Sequence, residues 1–178
     1  MEGCASNVDM IDIKKLDPNP YQPRNEYPER DLKELAESIT HHGVIQPIIV
    51  RRKGDRFQVA VDWGRALASR LAGINEIPAI VKDLTDEQMA VYAMIENLQR
   101  RDLNPIEEAR GFRSLQEFGW SQERIAKELG RGLTRDIVAQ RVRLLSFPAD
   151  LQELVSHDTI TAPPEQKIVR YVLLLNCR

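Results

Sequence analysis

The chain has 178 residues, 42% hydrophobic and 29% charged, which is the balance of a water-soluble globular protein. No run approaches the roughly eighteen apolar residues of a membrane span, and the N-terminus has no signal-peptide core, so a cytoplasmic protein without a membrane partner is expected. A net charge of −2 excludes a globally basic nucleic-acid binder, and Cys4 and Cys177 lie near opposite ends without metal-ligand spacing.

Residues 1–10 are expected to be a loose lead-in. Ile11–Leu16 alternates as a short strand, and Pro18–Arg24 follows as a stiff arm whose three prolines keep it out of a sheet interior. Leu32, Leu35, Ala36 and Ile39 fall at i, i+3, i+4 and i+7, which predicts an amphipathic helix over Glu29–His42 with Gly43 as its stop. Val44–Arg51 and Phe57–Val61 make a hairpin around Lys53-Gly54-Asp55. Asp62 is placed to cap a helix over Gly64–Ala72, Gly73 ends it, and Ile77–Lys82 gives a further strand. Strand, helix, two strands, helix and strand over residues 11–82 imply a small α+β unit.

Thr85-Asp-Glu-Gln88 is a capping box that opens a helix ending near Arg100. Glu96, Asn97, Gln99 and Arg100 place a carboxylate, two amides and a guanidinium in one turn. Such a turn can coordinate magnesium, read a polar ring and hold a phosphate; it equally suits an i,i+4 surface pair between Glu96 and Arg100. A break follows. Asn104 at the N-cap, Pro105 at the first helical position and Glu107 completing a capping box then start a second helix.

From Pro105 the chain reads as helical. Phe112, Leu115 and Phe118 mark one buried face, Ser121 caps Gln122–Leu129, and a turn at Gly130–Leu133 precedes Thr134–Leu145. That is a helix-turn-helix pattern, and its second helix is locally basic, since Arg131–Arg143 holds four arginines and one aspartate. Ile137, Val138, Val142, Leu144 and Leu145 share an apolar arc, while Arg135, Asp136, Ala139, Gln140 and Arg143 point away from it. Arg141 falls inside the arc, so a buried carboxylate partner is expected for it. A helix pair with a basic outer face is also ordinary in bundles, so the pattern alone leaves DNA binding open. Phe147–Val155 suggests a further short helix, and Ile168–Leu175 an apolar end that could serve as an interface.

Three stretches are specific enough to name a likeness. Gly43-Val-Ile-Gln-Pro47, Glu96-Asn-Leu-Gln-Arg100 and Leu103-Asn-Pro-Ile-Glu-Glu-Ala109 resemble motifs of the ParB family, bacterial partition proteins that bind DNA and use CTP. The likeness runs from about Ile11 to about Ala162. It implies an α+β fold: a ParB/sulfiredoxin-like N-terminal domain over residues 1–103, then an all-helical helix-turn-helix domain over 104–178. It further implies a CTP and magnesium site with Gln22 and Glu96 at the hydrolytic centre of a weak CTPase. Arg24, Gly43, Gln46, Arg65, Asn97, Gln99 and Arg100 would contact the nucleotide, and Glu96 and Asn97 the metal. Thr134, Arg135, Gln140 and Arg143 would contact double-stranded DNA in a nucleoid-associated setting. A second copy of the chain, joined when ligand binds, and a ParA-type ATPase would be partners. The family's usual C-terminal dimer module is not in this sequence, so a monomer or weak dimer is expected without ligand.

One box departs from the family. ParB proteins usually carry Gly-Glu-Arg-Arg-x-Arg-Ala at the turn where Asp62-Trp-Gly-Arg-Ala-Leu-Ala68 stands here, so only Arg65 remains of three arginines. A capping Asp62 would take up the N–H groups a phosphate needs, which predicts weakened triphosphate binding unless Arg51 or Arg70 compensates. The helix-turn-helix turn is also two residues longer than the family's Leu-Gly-Lys-Ser. The rival readings are a helix-turn-helix regulator that needs no nucleotide, and an enzyme. Sulfiredoxin chemistry needs a cysteine at the Arg65 turn, which is absent, and no carboxylate cluster suggests a nuclease.

Overall fold

The computed structural model describes residues 7–22, 27–99 and 104–157, and the chain enters it on a strand, β1 (Val8–Asp12), where a loose lead-in was expected. Val8 and Met10 are apolar but exposed, so the first part of this strand is held by pairing with a neighbour, and only Ile11 enters the core. The strand expected over Ile11–Leu16 is interrupted by a 3-10 turn, Ile13–Lys15, because Asp12 caps it by accepting the Lys14 N–H at 2.9 Å. A two-residue strand, β2 (Leu16–Asp17), follows. The helix over Glu29–His42 forms within the expected bounds (α1), and Gly43 ends it at φ 70°, a left-handed conformation that glycine adopts freely. The hairpin is β3 (Ile48–Lys53) and β4 (Arg56–Val61); α2 (Trp63–Leu71) and β5 (Glu76–Val81) complete the unit.

These five strands form one mixed sheet in the order β1-β5-β3-β4-β2, antiparallel at β1/β5 and β3/β4, parallel at β5/β3 and β4/β2. Laid flat, four gaps of about 4.8 Å would part the edge strands by roughly 19 Å. The chain from Asp12 to Leu16 reaches at most about 14 Å. The sheet must therefore curl, and Ile11, Ile13, Leu16, Val50, Val59 and Ile77 fill its concave side as one buried cluster. The Arg56 guanidinium fastens the β2 edge by donating to both Asp17 carboxylate oxygens, at 2.7 and 2.8 Å.

Thr85 and Gln88 form the expected capping box, opening α3 (Asp86–Leu98). This helix is buried on two sides. Met89 packs on Ala60 and Leu84, whereas Ala90, Met94 and Leu98 join Phe112, Leu115, Ile125 and Val138 of the following helices. Close approach needs Gly111 of α4 (Pro105–Glu117), because a β-carbon there would overlap Met94 Sδ. Asn104 caps α4 by accepting the Ile106 N–H at 2.8 Å.

Ser121 caps α5 (Gln122–Leu129), and Thr134 caps α6 (Arg135–Arg143) by accepting the Ile137 N–H. Between them Gly130, Arg131 and Gly132 are all left-handed, at φ 64°, 55° and 75°. Two glycines make that run tolerable, and Arg131 is the strained member, at about 1–2 kcal/mol for a residue with a β-carbon. A 3-10 turn (Leu144–Ser146) and α7 (Ala149–His157) close the described chain. The expected apolar segment Ile168–Leu175 lies outside the described residues.

Candidate functional site

Two surfaces carry polar groups that the fold brings together from distant parts of the sequence. The first is the turn between β4 and α2. Asp62 is expected to cap α2 with its side chain, and it does not: it sits at φ 74°, ψ 44° and makes no side-chain capping bond. A left-handed residue points its side chain away from the helix N–H groups, and aspartate is one of the few non-glycine residues that tolerate this region. Its Oδ2 pairs instead with Arg65 Nη2 at 2.9 Å. Arg65 also donates from Nη1 to the Gln46 carbonyl at 2.8 Å and from Nη2 to Gln46 Oε1 at 3.2 Å. The Asp62 N–H donates to Glu96 Oε2 at 3.0 Å, which ties α3 to the same turn. Gln46, Asp62, Arg65 and Glu96 are thus one connected network, assembled from the loop before β3, the β4–α2 turn and α3.

Of the other residues expected at a nucleotide, Gly43 ends α1 ahead of Gln46, and Asn97 is 3% exposed with its Nδ2 lacking a hydrogen-bond partner among the described residues. Gln22 Oε1 is likewise buried without one. Gln99 is exposed at the C-terminal end of α3, where its N–H donates to the Ile95 and Glu96 carbonyls. Arg24 and Arg100 lie outside the described residues. Among the described residues no group of three or more His, Cys, Asp or Glu side chains converges on a metal position.

Arg51 and Arg70, considered as compensating cations, are committed elsewhere. Arg51 is buried and donates to Gln58 Oε1 and the Leu84 carbonyl while pairing with Asp86. That guanidinium holds the Asp86 carboxyl below the usual carboxylate range. Arg70 donates to the Ile13 and Leu16 carbonyls and stacks its guanidinium on Trp63. Gly64, where the family has an arginine, is covered by the Tyr27 ring, which a β-carbon would meet at 3.0 Å. Among the described residues, the β4–α2 turn itself therefore does not fit a triphosphate: its one arginine, Arg65, is satisfied internally, and the Asp62 carboxylate is paired with it.

The second surface is the open face of α6. Gln140 and Arg143 line an open groove of about 570 Å³ together with Arg113, Gln122, Asp136, Ala139, Val142 and Ser146. Thr134 and Arg135 are exposed at the start of the same helix but do not line the groove; Thr134 spends its hydroxyl on the cap. Arg113 and Gln122 were not anticipated there. They reach the groove only through the packing of α4 and α5 against α6, and nothing in their own spacing marks them. Behind the groove Val138 is buried, and Arg141 donates to Glu108, so α6 presents a fixed face.

The ParB N-terminal domain family matches residues 2–98, and the ParB HTH domain family matches residues 101–170. The chromosome-partitioning protein Spo0J of Thermus thermophilus is 43% identical over 158 residues, covering 89% of this chain and 58% of that protein. A nucleoid occlusion protein of a Geobacillus species is 43% identical over 156 residues, covering 86% and 55%. This chain spans little more than half the length of these relatives. Two solved structures of the C-terminally truncated Caulobacter crescentus chromosome-partitioning protein ParB are also similar. The complex with the centromeric parS site is 32% identical with a TM-score of 0.60, covering 89% of this chain and 88% of that one. The complex with CTP-gamma-S is 36% identical with a TM-score of 0.50, covering 88% of each.

Proposed function

The chain belongs to the ParB family, and on that premise we propose that it is a partition-type protein whose helical part binds double-stranded DNA selectively through α6. The observation that carries this is the groove on α6. Gln140 and Arg143 stand there beside Arg113 and Gln122, on a helix whose other face is fixed by Val138 and the Arg141–Glu108 pair. A glutamine can make two hydrogen bonds to the major-groove edge of adenine, and an arginine two to guanine. Arginines off the reading helix neutralise phosphates and set its register. A second copy of the chain and a ParA-type ATPase are the protein partners this reading brings with it.

The nucleotide side carries over only in part. Gln22, Arg24, Gly43, Gln46, Arg65, Glu96, Asn97, Gln99 and Arg100 are all present from the set that would serve CTP and magnesium, but the Arg65 network at the phosphate turn does not fit a triphosphate, so DNA recognition here is assigned to α6 without a nucleotide step. The Asp62–Arg65 pair is also what favours the second reading, a DNA-binding regulator that never uses nucleotide.

Binding to a parS duplex and to a scrambled duplex, each measured over a range of salt without nucleotide, tests the proposal. The Arg135→Ala/Gln140→Ala/Arg143→Ala variant should lose its preference for one duplex over the other. Its log–log salt slope should fall by about 0.9 for each phosphate contact removed. If the folded variant binds both duplexes like the unaltered chain at every salt concentration, α6 is structural only.

A further inference from the structure

The β4–α2 turn is electrically complete without a ligand. Arg65 carries the charge that an anionic ligand would need, and its two terminal nitrogens already donate to Gln46 O, Gln46 Oε1 and Asp62 Oδ2 at 2.8, 3.2 and 2.9 Å. The Arg65 side chain is 18% exposed and Asp62 39%, so the pair is half shielded from solvent at the mouth of the turn. The backbone makes this possible. At φ 74° the Asp62 side chain swings away from the α2 N–H groups, while its own N–H is taken by Glu96 and its carbonyl accepts the Arg65 and Ala66 N–H groups. The N–H, the carbonyl and Oδ2 of Asp62 are thereby engaged.

We propose that the Asp62 carboxylate is a built-in counter-anion: it occupies Arg65 in place of a ligand's phosphate and makes this turn reject nucleoside triphosphates while leaving uncharged nucleosides unaffected. The inference rests on reading this turn as the phosphate turn of the family site; it does not depend on DNA binding. Two effects add. An arriving triphosphate must displace Asp62 from Arg65, and the displaced carboxylate then lies beside a polyanion, within the range at which like charges disfavour each other's ionised forms. Arg51 and Arg70 cannot take over, because one is buried on Gln58, Leu84 and Asp86 and the other is bound to the Ile13 and Leu16 carbonyls. The Tyr27 ring covers Gly64, so a side chain at that position would have to displace it.

The test is calorimetric titration of the full chain with magnesium CTP, with sodium tripolyphosphate as a base-free probe, and with cytidine. Asp62→Asn removes the charge and keeps a side chain that tolerates the left-handed backbone. It should bind both phosphate probes at least tenfold more tightly than the unaltered chain, with cytidine unchanged. A second comparison guards against the missing arginines masking the effect. In a Trp63→Glu/Gly64→Arg/Leu67→Arg background, adding Asp62→Gly should again tighten both phosphate probes at least tenfold. Equal affinities with and without Asp62 in both comparisons overturn the proposal, as does micromolar CTP binding by the unaltered chain. DNA affinity without nucleotide is measured separately, so a failure of the DNA reading and a failure of this one are distinguishable.

Discussion

Arg141 Nε donates to Glu108 Oε2 across 2.6 Å, joining the last turn of α6 to the first turn of α4. The side chains are only 17% and 10% exposed, so each charge depends on the other for its solvation. Removing one partner of such a pair strands the other, at about 3 kcal/mol by the lower end of measured cases. For a chain of this size, each kcal/mol lowers the melting temperature by roughly 2–4 °C. Arg141→Ala should therefore melt some 6–12 °C lower, roughly, while exposed Arg143→Ala should barely move it. Glu108→Ala should match Arg141→Ala, and the double variant should cost less than the sum. Equal melting of the Arg141→Ala and Arg143→Ala variants would remove the pair from the stability of the helical core.

The need for a partner of Arg141 was legible in the sequence, because the residue sits in an apolar arc; which carboxylate answers it was not. Glu108 looks like an ordinary first-turn acid until α4 and α6 are packed. The same division runs through the fold. Caps and stops at Thr85, Asn104, Ser121 and Gly43 act within a few residues, and the helices they bound were placed closely. The start of β1 is not legible because Val8 and Met10 bury nothing, so the signal of Val8–Met10 lies in pairing with β5, whereas Ile11 is buried in the core. Asp62 was misread for a related reason: an aspartate before a helix usually caps it, and only the left-handed backbone shows that this one cannot. Arg51 and Arg70 looked available because their buried acceptors, mostly carbonyl groups, are invisible in a one-dimensional pattern.

Gly111→Ala sets two effects against each other. Alanine favours a helix interior by up to about 1 kcal/mol over glycine. Against this, the new β-carbon overlaps Met94 Sδ, and Met94 is fully buried, so it cannot swing into solvent. Overpacking costs about 1–3 kcal/mol and should win. The variant should melt lower, and shortening Met94 to Ala in the same chain should give a loss smaller than the sum of the two. Stabilisation by Gly111→Ala would mean that α3 and α4 can separate freely.

Acid should weaken the curled unit through two pairs. Hydrogen bonding to Arg56 lowers the Asp17 pKa, and hydrogen bonding to Arg51 lowers that of Asp86. A carboxyl whose folded pKa lies below its unfolded value, near 3.9, contributes its stability above that value and loses it as pH falls through the folded one. Asp17→Asn and Asp86→Asn should each destabilise the chain at neutral pH, and the deficit should shrink as pH drops below about 4. A deficit that stays constant from neutral pH to below the folded pKa would show that neither carboxylate is stabilised by its arginine.

The groove on α6 contains one residue that opposes its apparent purpose. Asp136 lies i−4 from Gln140 and i−7 from Arg143, on the same open face and in the same groove as Arg113. In the first turn of α6 its charge is favourable to the helix dipole by a few tenths of a kcal/mol to about 1. Facing DNA, the same charge repels phosphate. A carboxylate in a major groove can accept only from an amino donor, such as cytosine N4, and is disfavoured opposite the acceptor edges of guanine and thymine. Asp136→Asn should therefore strengthen binding to an unrelated duplex several-fold at low salt, with the gain vanishing as salt screens it. Affinity for the preferred duplex should rise less or fall, so the ratio between the two narrows. Parallel binding isotherms on the two duplexes at low and high salt read both changes. Weaker binding of the unrelated duplex by Asp136→Asn would mean that the carboxylate faces away from the nucleic acid and serves only the helix start.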